Sequence, residues 1–161
     1  MLNLRDAGAD DYDAIWTLLE PVVRAGETYA LARDLSREAA LAYWFAPGHQ
    51  VRVGVEAGQV IATSYLRANQ QGGGAHVANA AFVTASALQG RGIARRLAVD
   101  AIEAARRQGL SAMQFNFVVA TNTRAVELWR SLGFEIVGRL PGAFDHPSAG
   151  LVDALVMYRR L

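Results

Sequence analysis

The stretch that decides the fold is Gln89-Gly90-Arg91-Gly92-Ile93-Ala94. It follows an apolar run ending at Val83 and opens a helix-patterned segment from Gly92 to Gln108. A strand, a tight turn and a helix N-terminus in that order form a natural anion site. Small residues at 90, 92 and 94 let backbone N–H groups close on phosphate oxygens, while the helix dipole adds partial positive charge. Behind the turn, Ile93, Leu97, Ala101, Ile102 and Ala105 recur at helical spacing, with Arg95, Arg96, Asp100, Glu103, Arg106 and Arg107 on the other face. The helix therefore packs one side on a sheet, and Glu103 and Arg107 are expected to pair across one turn. No Gly-Lys-Ser/Thr closes the turn, so it is not a nucleotide-hydrolase loop. No third glycine stands where a dinucleotide fingerprint requires one.

Downstream, Ala112-Met113-Gln114-Phe115-Asn116-Phe117-Val118-Val119-Ala120 reads as a second buried strand. A short helix follows: Asn122 is a good N-cap, Ala125, Val126, Trp129 and Leu132 form its apolar stripe, and Gly133 is placed to end it. Phe134 to Val137 then begins another strand. The Gln-x-x-Gly-x-Ala turn resembles the pyrophosphate-binding turn of the GCN5-related N-acetyltransferases (GNAT). The segment Asn122 to Phe134, with its Leu132-Gly133-Phe134 end, is similar to the second cofactor-binding motif of that family. The resemblance covers the second half of the chain by motif and the first half by pattern. It implies a single-domain α/β fold over residues 1–161, with a mixed, twisted β-sheet flanked by helices. It also implies an acyltransferase using acetyl-CoA, held by Phe82, Val83, Gln89, Gly90, Arg91, Gly92, Ile93, Ala94, Arg95, Asn122 and Trp129. The cofactor is expected between the strands ending near Val83 and Phe117.

One position departs from the family pattern. Where Trp129 stands, many members carry a tyrosine whose hydroxyl protonates the departing thiolate. An indole N–H can only donate a hydrogen bond, so Asn122 or a water is left to steady the sulfur.

A narrower resemblance rests on Asn79-Ala80-Ala81-Phe82, Asn116-Phe117 and Asn122, a pattern similar to the yeast-type azetidine-2-carboxylate N-acetyltransferases, which act on proline analogues. It implies that Asn79 and the backbone amides of Asn116 and Phe117 hold the acceptor. Phe82 and Asn122 become the catalytic pair, a backbone amide on the thioester oxygen and an amide near sulfur. Amide groups can bind a carboxylate without setting a competing negative charge beside the acetyl group. The same asparagines could instead satisfy the backbone at a splayed strand edge. Glu27 and Tyr29, in the segment after the first helix, are further acceptor candidates. His146 is a candidate proton relay that reads more readily as a surface histidine, and Asp153 is a similar candidate or simply a strand-end residue. Three outcomes stay open: a small-molecule amino-acid acetyltransferase, a non-catalytic acetyl-CoA sensor, and a protein N-terminal acetyltransferase.

Composition sets the outer limits. The 161 residues are 52% hydrophobic with a formal net charge of +1, enough for one compact core. The absence of cysteine excludes a disulfide framework and a thiol nucleophile, and His49, His76 and His146 have no metal-ligand spacing. No metal, nucleic acid or membrane partner is expected. Arg91, Arg95 and Arg96 form a local basic patch suited to coenzyme A phosphates. The first residues lack the basic and apolar regions of a signal peptide, so the expected compartment is the cytoplasm. The sequence does not give the oligomeric state, and exposed apolar residues in the closing strand are compatible with a homodimer.

The remaining elements read in sequence. Leu2 to Arg5 is a strand. Asp10 or Asp11 caps a helix with Tyr12, Ile15, Trp16, Leu19 and Val22 as its apolar face, kinked or ended by Pro21. Ser36 caps a second helix that stops before Pro47-Gly48. Gln50 to Glu56 and Gln59 to Leu66 form a hairpin across Ala57-Gly58, and Gln70 to Gly74 is a loop before a strand from His76 to Val83. A loop from Pro141 to Gly150 precedes a last strand, Leu151 to Tyr158.

Overall fold

A computed structural model describes all residues from Met1 to Leu161. Seven strands form one sheet: β1 (Asn3–Asp6), β2 (Gln50–Glu56), β3 (Gln59–Ala68), β4 (Val77–Thr84), β5 (Ala112–Val119), β6 (Glu135–His146) and β7 (Gly150–Arg160). Their spatial order is β1-β2-β3-β4-β5-β7-β6. Only β4 and β5 pair in parallel, and they are joined by the crossover through helix α3 (Ile93–Arg107). Helices α1 (Tyr12–Ala25) and α2 (Arg37–Trp44) precede β2, and α4 (Thr123–Ser131) follows β5.

The sheet is covered on both faces. Ile15, Leu18, Leu41 and Trp44 pack onto Val51, Val53, Tyr65, Ala81 and Val83 on one side. On the other, Ala98, Ala101, Ile102 and Ala105 meet Leu66, Ala78, Ala80 and Met113. The alternation of Ala78, Ala80 with Ala81, Val83 along β4 follows from the two-residue period of a strand.

The decisive feature is the seam between β4 and β5. Register is kept only at Val77↔Ala112 and Ala78↔Met113; beyond these the strands diverge. Asn116 and Phe117 also lack a register partner on β7, because the pairing shifts between Phe115 and Val118. The divergence from β4 and the bulge against β7 together interrupt the ladder on both sides of β5 and leave backbone groups available to a ligand.

Several boundaries agree with the sequence. The Ser36 hydroxyl accepts from the Ala39 N–H at 3.1 Å, Ala57 and Gly58 turn the β2–β3 hairpin with φ of 50° and 78°, and Gly133 follows α4 with φ of 84°. Five details differ. Helix α1 buries Ile15, Leu18, Leu19 and Val23, leaving Tyr12 exposed. The apolar residues of this helix form one broad arc opposite Asp13, Thr17, Glu20 and Arg24, and the sheet takes its Leu18, Ile15, Leu19 and Val23 positions most deeply. Pro21 does not end α1, which runs to Gly26 in the left-handed conformation. The Asp11 carboxylate caps no α1 amide; it takes the Gly8 N–H at 2.8 Å and both guanidinium arms of Arg5 at 2.7 Å. Glu103 pairs with Arg106 at 2.6 Å, one position short of Arg107. The expected loop from Pro141 to Gly150 is mostly strand: β6 continues to His146, with the register shifting between Leu140 and Phe144 around the proline. An edge strand tolerates proline because its outer N–H groups need no partner.

Candidate active site

The splayed seam opens a cavity of about 690 Å³, in the size range of small-molecule sites. At one end lie Gly90, Gly92, Ile93, Ala94 and Arg95 of the turn. Gly90 and Gly92 have φ of 83° and 73°, and nothing stands within 4 Å of where a Cβ would sit on either. The glycines serve backbone conformation and leave space above the N-terminus of α3 open.

The basic patch is rearranged. Arg95 lines the cavity and donates to Ser131 Oγ at 2.8 Å. Arg91 turns outward to Glu56 at 2.9 Å, and Arg96 donates to the Leu2 carbonyl at 2.8 Å. Neither Arg91 nor Arg96 lines the cavity. Their place is taken by Arg124, at the start of α4, which donates to Gln89 Oε1 at 2.6 Å and ties the turn to that helix. Sequence reading missed Arg124, although its position two residues after an N-cap beside the turn is the available signal.

In the middle of the cavity, Trp129 is 8% exposed and packs on Phe82 and Phe115, with ring centroids 5.2 Å and 4.7 Å away. Its role in the structure is a wall. Asn122 caps α4 through Oδ1, which accepts from the Ala125 N–H at 3.4 Å. Its Nδ2 has no protein partner, so it is available to a soft acceptor such as a thioester sulfur. Val83 is buried but borders the cavity.

Phe82 presents an unexpected arrangement. Its N–H donates to the Tyr29 hydroxyl at 3.2 Å, and the same hydroxyl donates to the Phe82 carbonyl at 3.0 Å. Tyr29 thus reaches from the α1–α2 segment and occupies the amide that sequence reading assigned to the thioester oxygen. Burial pushes its phenol well above the ordinary tyrosine range, so it is a neutral donor and not a base.

The far end holds Asn79, Asn116 and Phe117 with Arg67, Tyr43 and Tyr65. Asn79 is 7% exposed; its Nδ2 spans the seam to the Gln114 carbonyl at 3.0 Å, and its Oδ1 accepts from Arg67 Nε at 3.2 Å. Asn116 donates to Asn69 Oδ1 at 2.7 Å and accepts from Gln114 Nε2 at 2.9 Å. The Asn79 side chain therefore satisfies the β5 edge across the seam, whereas that of Asn116 bonds only to the side chains of Asn69 and Gln114. Glu27 is exposed and outside the cavity lining. His146 is outside it as well, its Nδ1 accepting from the Ser148 and Ala149 amides at the β6–β7 turn. Asp153 binds Arg139 and the Gly142 N–H, which hold its carboxyl below the usual range. No Asp, Glu or His lines the cavity, and no group of three or more His, Cys, Asp or Glu is placed to hold a metal ion. No helix is long and apolar enough to cross a membrane.

Comparison with known proteins agrees with this geometry. An N-acetyltransferase, aca1, of Schizosaccharomyces pombe is 33% identical over 98 residues, which is 57% of this chain and 44% of that protein. The chain thus spans less than half the length of that curated relative. A GCN5-related N-acetyltransferase from Kribbella flavida superposes with a TM-score of 0.94 at 45% identity, covering 99% of this chain and 98% of the other. The protein yncA from Salmonella typhimurium, solved with its cofactor acetyl-CoA, shares the fold with a TM-score of 0.86 at 24% identity, covering 100% and 94%. The sequence model of the acetyltransferase (GNAT) family matches residues 12–134. With the glycine turn, the splayed parallel pair and that match over most of its length, the chain belongs to the GNAT family of acetyltransferases.

Proposed function

We propose that the protein is an acetyl-CoA-dependent N-acetyltransferase whose acceptor is a small amine, specifically an amino acid or proline analogue such as azetidine-2-carboxylate. The observation that carries this reading is a single cavity joining the glycine turn to the unpaired Asn116-Phe117 backbone through the β4–β5 seam. The turn and the α3 N-terminus, with Arg95 and Arg124, would hold the coenzyme's phosphates. The pantetheine arm would then lie along the seam.

The reaction in this frame is direct. The neutral amine attacks the thioester carbonyl carbon, a C–N bond forms, the C–S bond breaks, and coenzyme A leaves as thiolate. Asn122 Nδ2 stabilises the sulfur as it gains charge. The Phe82 N–H, once Tyr29 releases it, stabilises the carbonyl oxygen. Since no Asp, Glu or His lines the cavity, the proton lost by the amine passes to water.

That same lack of a side-chain base favours a second reading, a module that binds acetyl-CoA without transferring the acetyl group. Release of free coenzyme A across proline analogues, amino acids, polyamines, aminoglycosides and short peptides separates the two. Turnover with azetidine-2-carboxylate or another small amino acid is expected. Binding of acetyl-CoA with no turnover on any class would replace the enzyme by the sensor, and turnover confined to peptides would move the acceptor to a protein N-terminus.

A further inference from the structure

Arg67 sits on β3 opposite Asn79 of β4, and it lines the cavity together with Asn79, Tyr43 and Tyr65, at the end away from the glycine turn. The distance between the two ends follows from the strand. Thr84, where β4 leads into the turn, lies five residue steps along from Asn79, and an extended chain covers them in about 17 Å. Arg95 and Arg124 belong to the turn end. Arg67 is thus the one charged side chain among the residues lining the acceptor end.

Its partners leave it incompletely used. Nε donates to Asn79 Oδ1 at 3.2 Å, and one terminal nitrogen donates to the Ala68 carbonyl at 3.4 Å, a long contact. A guanidinium carries five N–H groups, so three remain. No carboxylate lies within ion-pair distance of Arg67, although eight other ion pairs form in the molecule. Arg67 is half-buried, and a partly desolvated cation without a counter-charge is costly to hold unless a ligand supplies one. Tyr43 and Tyr65 stand in the same lining with their hydroxyls 3.3 Å apart, so its polar neighbours there are neutral donors and acceptors.

We infer that Arg67, oriented by Asn79, is the anion anchor of the acceptor subsite and restricts the enzyme to amines that carry a carboxylate or a comparable anionic group. The inference rests on the function proposed above and adds a charge rule to it. The paired N–H groups of arginine match the two oxygens of a carboxylate. The unpaired backbone of Asn116 and Phe117 supplies further donors. A polyamine or aminoglycoside meets a like charge at the same place and is disfavoured.

The test compares acid and amide forms of one acceptor, because they differ in the charge that Arg67 reads. Azetidine-2-carboxylate, L-proline, L-alanine and L-methionine are each paired with the corresponding carboxamide, and kcat/KM is measured for the native protein, Arg67→Met and Arg67→Lys. The native enzyme is expected to prefer the acid by about tenfold or more, that preference is expected to vanish in Arg67→Met, and Arg67→Lys is expected to keep part of it. The acid-to-amide ratio is internal to each preparation, so partial misfolding does not alter it. Equal use of acid and amide by the native enzyme, or a preference surviving in Arg67→Met, overturns the inference while leaving the transferase reading intact. If no amine of any class is turned over, the transferase reading fails first, and calorimetric titration of the same acid and amide into the acetyl-CoA-loaded protein decides the anchor. Acid binding lost in Arg67→Met supports it, and absence of acid binding to the native protein overturns it.

Discussion

Tyr29 satisfies both backbone groups of Phe82 with one hydroxyl, so a thioester oxygen approaching that amide must displace it. A net hydrogen bond is worth about 1 kcal/mol, or about fivefold in an equilibrium constant. Tyr29→Phe is therefore expected to tighten acetyl-CoA binding by about that factor in calorimetry. Weaker binding would show instead that the hydroxyl is itself a ligand of the thioester. The same residue carries a pH signature. Its phenol is raised by burial above the ordinary tyrosine value of about 10, so between that value and its folded pKa the native state holds a proton that the unfolded chain releases. The stability it contributes is fully present below pH 10 and is lost as pH rises beyond it. The alkaline decline in Tm should be shallower in Tyr29→Phe, and an unchanged slope would contradict the burial argument. Asn122 allows a similar separation. Its Oδ1 caps α4 and its Nδ2 is free, so Asn122→Asp keeps the cap and removes the donor. We expect an unchanged Tm with kcat lowered by about tenfold or more and acceptor KM little altered. An unaltered kcat would remove Asn122 from the chemistry.

At the scale of elements, the turn into α3 uses glycine for backbone reasons alone. Gly92 is the residue before the helix, with φ of 73° and open space where a side chain would begin. Gly92→Ala meets no neighbour, so its cost is the left-handed conformation itself, about 1–2 kcal/mol. A modest drop in Tm with a larger loss of acetyl-CoA affinity is the expected pair of results, since relaxing φ would tilt the amides that face the phosphates. A drop in Tm with unchanged affinity would detach this turn from the cofactor. This is also the kind of element most legible in a sequence. Gly92, Gly133 and Ala57-Gly58 act through their own backbone and Ser36 through its own hydroxyl, and each starts, ends or turns an element where its chemistry requires. The buried face of α1 was legible in part: Tyr12, Ile15, Trp16, Leu18, Leu19, Val22 and Val23 form one broad arc, of which Ile15 and Leu19 are buried and Trp16 and Val22 pack against the same cluster, but the sequence does not rank positions within it. Only docking on Val51, Val53 and Tyr65 selects between them. The acceptor end was half legible for the same reason. Asn79 and Asn116 stand out as polar residues within apolar strands, whereas Arg67 becomes informative only when β3 pairs with β4 and sets it beside Asn79.

Across the whole molecule, the sheet is two blocks joined at a weak seam. The strands β1-β2-β3-β4 form one block and β5-β7-β6 the other, and between them β4 and β5 keep two register pairs. The antiparallel pair β3–β4, by contrast, keeps seven. The aromatic cluster of Phe82, Phe115, Trp129 and Phe134 bridges the blocks on the α3 face, and the Asn79 to Gln114 bond is a polar crosslink over the gap. A ligand laid along the seam would supply hydrogen bonds to both edges that the strands do not give each other. It would therefore stabilise the junction as well as occupy a site. A ligand that binds only the folded state at a hundred times its Kd adds about 2.7 kcal/mol, which for a chain of this length corresponds to a Tm increase of about 5–11 °C. Acetyl-CoA at that excess is expected to produce such a shift. Amide hydrogen exchange should slow most in Ala80 to Thr84 and in Asn116 to Val119, the segments that line the divergence. Adenosine diphosphate, which can reach the glycine turn but has no pantetheine arm, should protect the turn and leave the seam exchanging as before. If acetyl-CoA protects only the turn, the arm does not follow the seam, and the cavity between Phe82 and Asn116 serves the acceptor alone.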